Sequence, residues 1–179
     1  MSSSVRSIGA GRAGPPGGRG SPPVPHEVSG FCPLDGCPVA SDDDYFEALT
    51  AAVFSMRFRA PIVAARWPHM RRALADFRLA EVAAWPDEAV ERLLEAPGVI
   101  RNPKKLRATL RNARGLAARA AAHGSVAAYL ESFRPDVEAL VAELDGWVHY
   151  LGAPSLRFFL RCIGIQERWA AAGSRLHPL

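Results

Sequence analysis

An all-α fold is predicted for this chain of 179 residues. Apolar residues recur at helical spacing from residue 42 onward, and helix-capping signals precede several of these stretches. No stretch shows the sustained alternation of apolar and polar residues that strands show. We therefore predict a helical bundle over residues 31–179, of a length that suits one domain with its own core, behind an N-terminal tail of residues 1–30.

The tail consists mostly of residues that favour turns and linkers. Gly, Pro and Ser occupy 18 of its 30 positions, so it cannot bury enough apolar surface to offset the entropy lost on ordering. We expect it to be disordered, either as a solvated tail or as a weak basic arm for polyanions. It lacks the apolar core of a secretory signal peptide, and no apolar run has the length of a membrane-spanning helix. The expected location is therefore the cytoplasm, without membrane contact.

Three helices are predicted in the first half of the domain. Ser41 followed by Asp44 forms a capping box for the first helix. Pro61 suits the first turn of the second helix, because proline lacks an N–H that would be unpaired there in any case. Residues 86–88 open a third helix, whose apolar positions, Leu94 included, are expected in the core.

Three more helices are predicted in the second half. Asn102 followed by Pro103 is a strong helix start, and Gly124 suits the left-handed conformation that ends such a helix. Pro135 and Pro154 begin the two helices that follow. We expect the helix after Pro154 to be the last one of the core.

Basic residues are concentrated in two stretches of the chain. Seven of them, with no acidic residue, lie between Gly98 and Arg119, although the formal net charge of the whole chain is only +4. Five arginines lie within residues 57–72, again without an acidic residue. A solvated helix face would explain either stretch by itself. The first stretch also follows a Pro-Gly-Val turn between two helices, and this context favours anion binding.

That turn is typical of a helix–hairpin–helix module, which holds a DNA backbone without reading its sequence. Its backbone N–H groups lie beside the positive end of the second helix, where anions are stabilised. Two lysines in the first helical turn oppose the helix dipole, which an anion bound there would explain. The predicted backbone-binding residues are Gly98, Val99, Ile100, Arg101, Asn102, Lys104 and Lys105.

The segment around the turn, AWPDEAVERLLEAPGVIRNPKKLRATLRNAR at residues 84–114, resembles the DNA-3-methyladenine glycosylase I family. It matches that family's DVERL helix, its G-[IV]-[IV]-R-[NH] turn and its K-[IL]-x-A helix. The likeness covers residues 42–164. It implies an all-helical base-excision-repair enzyme that binds double-stranded DNA with a damaged base. Such an enzyme flips out an alkylated, 3-methyladenine-like purine and hydrolyses its N-glycosidic bond. We expect a monomer.

The predicted base pocket departs from the family pattern. The family's first long helix carries a glutamate that recognises the base and a tryptophan that stacks near it, where this chain has Ala52 and Ala60. Glu47 is the remaining carboxylate candidate for catalysis or base binding, and a solvated helix residue is the alternative. The aromatic candidates for the pocket or for a wedge into the DNA, any of which core packing would also explain, are Tyr45, Phe54, Phe58 and Tyr150.

Phe58 has the surroundings of a wedge residue, because the apolar ring lies between two arginines that could contact phosphates. The changed pocket leaves two alternatives to a glycosylase open. The first is a catalytically silent DNA-binding protein, and the second is a small-molecule enzyme on the same fold.

No cofactor and no metal site are predicted. Cys32 and Cys37 are the only cysteines near the N-terminal end of the domain, and their spacing is looser than that of a usual zinc knuckle. A structural zinc is therefore less expected than two thiols.

Overall fold

The computed structural model describes residues 30–34 and 39–171. These residues form α-helices and contain no strand, which confirms the predicted all-α class. The helices are α1 (Asp42–Ser55), α2 (Ala60–Ala73), α3 (Leu79–Ala83), α4 (Ala89–Glu95), α5 (Pro103–His123), α6 (Val126–Glu131), α7 (Val137–Asp145), α8 (Ala153–Cys162) and α9 (Ile165–Ala171). Apart from Gly30, the predicted tail lies outside the described residues. None of the described helices has the length and apolarity needed to cross a lipid bilayer.

The start of α1 organises two short helices that were not predicted from the sequence. Ser41 caps α1 in the predicted capping box. The next two residues bond to distant parts of the chain: Asp42 accepts a hydrogen bond from the amide of Val126 at 2.9 Å, and Asp43 accepts one from Leu79 at 2.7 Å. These carboxylates satisfy donors in the first turns of α6 and α3, each of which is too short to show a clear apolar period.

Helix α5 is the long central element and has the predicted ends. The side chain of Asn102 accepts a hydrogen bond from the amide of Lys105 at 3.1 Å, and Gly124 closes the helix with a φ of 88°. The buried face of α5 includes Leu106 and Leu110, and the helix packs against α1, α3, α4 and α6. The turn before α5 is thereby fixed to most of the bundle.

Three details of the predicted core and helices differ from the structure. Leu94 packs against the core but is only half-buried, because α4 ends one residue later at the surface turn. The core does not end with α8, since Trp169 of α9 is buried and donates a hydrogen bond to Glu131 at 2.7 Å. The helix expected from Pro135 begins at Val137, because the side chain of Asp136 provides the N-cap.

Candidate nucleic-acid interface and base pocket

The turn between α4 and α5 has a conformation that requires glycine. Gly98 has a φ of 80°, and a Cβ there would overlap the imidazole ring of His69 on α2. Val99 and Ile100 are buried beneath the turn, whereas Arg101 is exposed. Packing against α2 therefore holds the backbone of the turn from below, and the turn presents Arg101 to solvent.

A groove of about 460 Å³ runs between this turn and α2. The residues that line it are Ile62, Arg66, Gly98, Val99, Ile100 and Arg101. Ile62 is an exposed large apolar residue, with 49% of its surface accessible, and both arginines are exposed. Apolar surface bordered by guanidinium groups suits a sugar–phosphate backbone, which offers apolar sugar faces between its charges.

Local ion pairs neutralise much of the positive charge predicted for the interface. Arg107 pairs with Glu91, Arg114 with Asp87 at 2.6 Å, and Arg119 with Glu143 at 3.1 Å. The guanidinium of Arg114 also lowers the pKa of the Asp87 carboxyl. Within the described part of the chain, the basic residues of this stretch that form no ion pair and are exposed are Arg101, Lys104 and Arg111.

The second basic stretch divides in a similar way. Arg71 is paired with Glu47, and a guanidinium nitrogen of Arg72 lies 2.9 Å from Nδ1 of His69. Three further arginines are exposed and form no ion pair with any residue that the structure describes: Arg57, Arg59 and Arg66. Arg66 shares the groove with Arg101. The two stretches therefore contribute unpaired cations to one basic surface around the groove.

The two lysines of the hairpin point in different directions. Lys104 is exposed, as a phosphate ligand requires. Lys105 is only 1% exposed, and its ammonium donates hydrogen bonds to the carbonyls of Phe54 at 3.1 Å and Met56 at 2.5 Å. This burial corrects the expectation that both lysines face a phosphate, because the ammonium of Lys105 is directed into the protein.

Lys105 brings three of the four predicted aromatic candidates together. Its Nζ atom lies 4.4 Å from the ring centroid of Phe58, 5.5 Å from that of Tyr150 and 5.6 Å from that of Phe54. Burial, and secondarily the charge of Arg57, lower the pKa of Lys105 to about 8. Ring faces attract a cation, so this arrangement stabilises the charged form that burial disfavours.

The exposure of the three rings differs. Phe54 is fully buried, Phe58 is half-buried, and Tyr150 is 43% exposed. Tyr150 also has a φ of 73°, which is uncommon for a residue with a side chain. Asn112 holds the segment before it, since its side chain exchanges hydrogen bonds with the backbone of His149 at 2.7 Å and 3.1 Å. Phe58 and Tyr150 are thus the rings of this group that a ligand could reach.

Tyr45 lies elsewhere. It is buried with only 5% of its surface accessible, and its hydroxyl lies near the guanidinium of Arg168 on α9. Burial raises the pKa of this phenol. The structure therefore places Tyr45 in a polar contact between α1 and α9 and apart from the rings around Lys105.

Glu47 is a buried structural carboxylate in this arrangement. It accepts a hydrogen bond from the indole of Trp67 at 2.8 Å and an ion-paired bond from Arg71 at 2.5 Å. Trp67 in turn stacks on Phe77, with the ring centroids 5.3 Å apart. The alternative of a solvated helix residue is wrong, since Glu47 is 3% exposed. Because both donors come from α2, the carboxylate of Glu47 joins α1 to α2. Its oxygens are already occupied by strong hydrogen bonds, so it is poorly suited to activate water.

At the position of the family's pocket glutamate this chain has Ala52, which is 1% exposed in the middle of α1. That position therefore supplies no acid. No group of three or more His, Cys, Asp or Glu side chains within the described ranges could hold a metal ion. The thiol of Cys32 lies 3.9 Å from the carbonyl oxygen of Cys162. Cys37, the other residue considered for zinc, lies outside the described residues.

The contribution of Ile62 and His69 on α2 was not predicted from the sequence. Ile62, Arg66 and His69 lie four and three residues apart, so they form one stripe along the helix. Their stripe runs beside the buried one that contains Val63 and Trp67. The signal was present in the spacing, but an exposed isoleucine and a lone histidine rarely indicate function by themselves.

Comparison with known proteins supports the resemblance to the DNA-3-methyladenine glycosylase I family. The sequence profile of the methyladenine glycosylase family matches residues 35–146. A solved structure of 3-methyladenine DNA glycosylase I is 22% identical, with a TM-score of 0.62 over 76% of this chain and 84% of that one. For 3-methyladenine DNA glycosylase I from Staphylococcus aureus the identity is 19% and the TM-score 0.64, over 77% of this chain and 82% of that one.

At these identities the structural likeness establishes the fold, and the profile match, which spans more than half of the chain, establishes the family. No curated protein matches the chain. The resemblance inferred from residues 84–114 is thus confirmed. The chain belongs to the methyladenine glycosylase family, a family of DNA glycosylases.

Proposed function

We propose that the chain binds double-stranded DNA that contains a damaged base and excises an alkylated, 3-methyladenine-like purine. The observation that carries this proposal is the groove between the α4–α5 turn and α2, with unpaired, exposed Arg66 and Arg101 beside apolar surface. It is a surface suited to a DNA backbone in a chain of this family. Contacts of this kind hold a duplex without reading its bases, which suits an enzyme that must find rare lesions in any sequence.

Extrusion of the base follows from the position of Phe58. The half-buried ring lies on the loop between α1 and α2, with exposed Arg57 and Arg59 on either side. An apolar ring that enters the base stack while neighbouring cations hold phosphates would unstack a base pair. The cost is a few kcal/mol and is lowest at a damaged pair, so lesions are favoured over normal bases. Tyr150, exposed nearby over Lys105, is available to stack on the extruded base.

The chemistry must depend on the leaving group. Among the described residues, Glu47 is the buried carboxylate of α1, and Arg71 and Trp67 already occupy it. Alkylation at a ring nitrogen gives the base a positive charge, so breaking the bond to C1′ releases a neutral base. Water then adds to the sugar carbon and loses its proton to solvent. A pocket without a free carboxylate can promote this reaction by binding and stacking alone, whereas a neutral base would need an acid to protonate it.

An excision assay on methylated DNA tests the proposal. Duplex DNA treated with a methylating agent is incubated with the protein, and the released bases are separated and identified. We expect release of 3-methyladenine. We also expect its loss in the double variant Arg101→Glu/Lys104→Glu, because two acidic residues at the turn repel the backbone. Release that is equal in the native chain and in this variant would rule out the proposed role of the turn.

A catalytically silent DNA-binding protein is the second candidate, and the alanine at position 52 favours it. It has the same groove and the same salt-dependent affinity for duplex DNA, but it releases no base. Affinity for methylated duplex together with no released base, beside an active control enzyme, would establish this candidate in place of the first. Monomeric state and cytoplasmic location stay predictions.

A further inference from the structure

One buried side chain connects the α4–α5 turn to the loop that carries Phe58. The backbone amide of Lys105 donates a hydrogen bond to Asn102, the last residue of the turn, at 3.1 Å. From the first turn of α5 its ammonium reaches α1 and bonds to the carbonyls of Phe54 and Met56. The segment that would hold the DNA backbone and the segment that would enter the base stack therefore share this residue.

The carbonyls at the end of α1 need such a donor. The last turn of α1 contains no basic residue, and its C-cap residue Met56 is extended, with φ −64° and ψ 119°. The last carbonyls of a helix have no partner within the helix itself. Arg57 follows with a φ of 60°, a left-handed conformation that is costly for a residue with a side chain. Lys105 thus fixes the chain at the end of α1, just before the left-handed residue Arg57.

The residue type at position 105 also fits this role. The chain has 22 basic residues, of which only Lys104 and Lys105 are lysines. A compact ammonium can bond to two carbonyls and lie against the ring of Phe58, 4.4 Å from its centroid. A planar guanidinium carries five donors in a fixed geometry, and the two carbonyls could not accept from all of them. Lysine at this position is therefore not interchangeable with the arginine that the chain otherwise prefers.

We propose that Lys105 is a positioning residue that sets Phe58 at the depth and angle needed to enter the base stack while the turn holds the DNA backbone. The inference rests on the proposed function. Without the ammonium, the carbonyls of Phe54 and Met56 lose their donor and the α1–α2 loop is released. The exposed cations of the groove keep their places, so DNA is still bound, but Phe58 no longer enters the stack reproducibly.

Base unstacking can be measured separately from catalysis. A duplex that carries 2-aminopurine opposite an abasic site becomes more fluorescent when the 2-aminopurine is unstacked. The substitution Lys105→Met keeps the length and apolarity of the side chain and removes the ammonium. Lys104→Met is the matched control, because it removes the same charge from the exposed neighbouring position. Helical circular dichroism verifies folding, and fluorescence anisotropy verifies that each complex is saturated.

The expected result is that Lys105→Met binds the duplex but loses the fluorescence increase at saturation. Lys104→Met should bind more weakly and give the full increase once saturated. Adding Lys105→Met to Phe58→Ala should cause no further loss of the fluorescence increase, since both changes remove the same function. A full increase in saturated Lys105→Met, or an equal loss in both lysine variants, would overturn the inference.

The native chain supplies a test that does not depend on the variant folding. Its two lysines can be followed by NMR of their side chains. The signals of Lys105 should shift when the abasic-site duplex binds and stay in place with an intact duplex, whereas those of Lys104 should respond to both. Lys105 signals that are the same with and without the abasic-site duplex would refute the positioning role.

Failure of this inference differs from failure of the proposed function. Base release without a fluorescence increase in the native chain would leave the glycosylase in place and remove the role of Lys105. A fluorescence increase that depends on Lys105, without base release from methylated DNA, would leave the positioning role and remove the catalytic proposal.

Discussion

Two buried charged residues, Glu47 and Lys105, decide how the candidate site is interpreted. Each matches a pattern that suggests contact with DNA or a base, and each is less than 5% exposed. Sequence position predicts that a residue lies on a helix near the site, but whether its charge points inward depends on the packing of other helices. Glu47 meets donors from α2, and Lys105 meets carbonyls of α1. The partners of both residues lie 20 or more positions away in the sequence.

The substitution Glu47→Gln should destabilise the fold without removing catalysis. The amide can keep the bond to Trp67 but loses the ion pair with Arg71, so we expect a loss of about 1–3 kcal/mol in the free energy of unfolding. Urea denaturation measures the loss. Base release per folded molecule should stay at the level of the native chain, and a fully stable variant without activity would restore a catalytic role to this carboxylate.

Lys105 should titrate near pH 8, because burial lowers its pKa to about 8 from an ordinary value of 10.5. Between these two values the unfolded chain binds the proton more strongly than the folded one. The free energy of unfolding therefore increases as the pH rises through that window. The destabilisation caused by burying the charged ammonium is largest below the folded pKa. NMR titration of the two lysine side chains, with Lys105→Met to assign the signal, checks the midpoint. A midpoint at the ordinary value would contradict the burial of the ammonium.

At the level of elements, the sequence predicts the helices whose starts carry strong local signals. Ser41 and Asn102 cap α1 and α5 as expected, and Gly124 ends α5. Helices α3 and α6 were not predictable in this way, because their first turns depend on carboxylates of α1 that are 36 and 84 residues away. The groove was only half predictable: the turn has a specific sequence signature, whereas the spacing of Ile62, Arg66 and His69 on α2 does not by itself indicate a site.

Two glycines with positive φ allow a comparison between strain in the α4–α5 turn and the same strain at a helix end away from the turn. Gly98→Ala and Gly124→Ala both place a side chain at a positive φ, 80° and 88° respectively, and each should cost about 1–2 kcal/mol for that reason. Only at Gly98 does the new Cβ also meet the ring of His69.

We therefore expect Gly98→Ala to lose duplex affinity as well as stability, while Gly124→Ala loses stability alone. Thermal denaturation and fluorescence anisotropy with a labelled duplex measure the two quantities. Equal affinity of the two variants for DNA would show that the conformation of the turn does not matter for binding.

At the scale of the whole molecule, net charge is a poor guide to the DNA-binding surface. The chain carries only +4, yet the unpaired side chains of Arg66 and Arg101 line one groove, while ion pairs join α5 to α4 and α7. The predicted cluster of seven basic residues is an overestimate for binding, since ion pairing and the burial of Lys105 occupy four of them. Such pairing depends on the fold and is invisible to a count along the chain.

The salt dependence of duplex binding should report this division of charge. Arg101→Gln and Lys104→Gln should each lower the slope of log affinity against log salt by about 0.9 if each residue neutralises one phosphate. Arg157→Gln is the control, because this arginine is paired with Glu138 between α7 and α8 at 2.6 Å. Anisotropy titrations over a series of salt concentrations give the slopes. A slope that Arg157→Gln changes as much as Arg101→Gln would place the DNA on a different face.

The range of bases that the native chain releases tests the proposed mechanism most directly. Duplexes that carry 3-methyladenine are compared with duplexes that carry a neutral lesion, uracil or hypoxanthine, and the released bases are identified. The groove is lined without a carboxylate, and Trp67 and Arg71 already bind that of Glu47. We therefore expect release of the cationic alkylated purine and none of the neutral bases. Release of a neutral base, or no release from any of these duplexes, would contradict it.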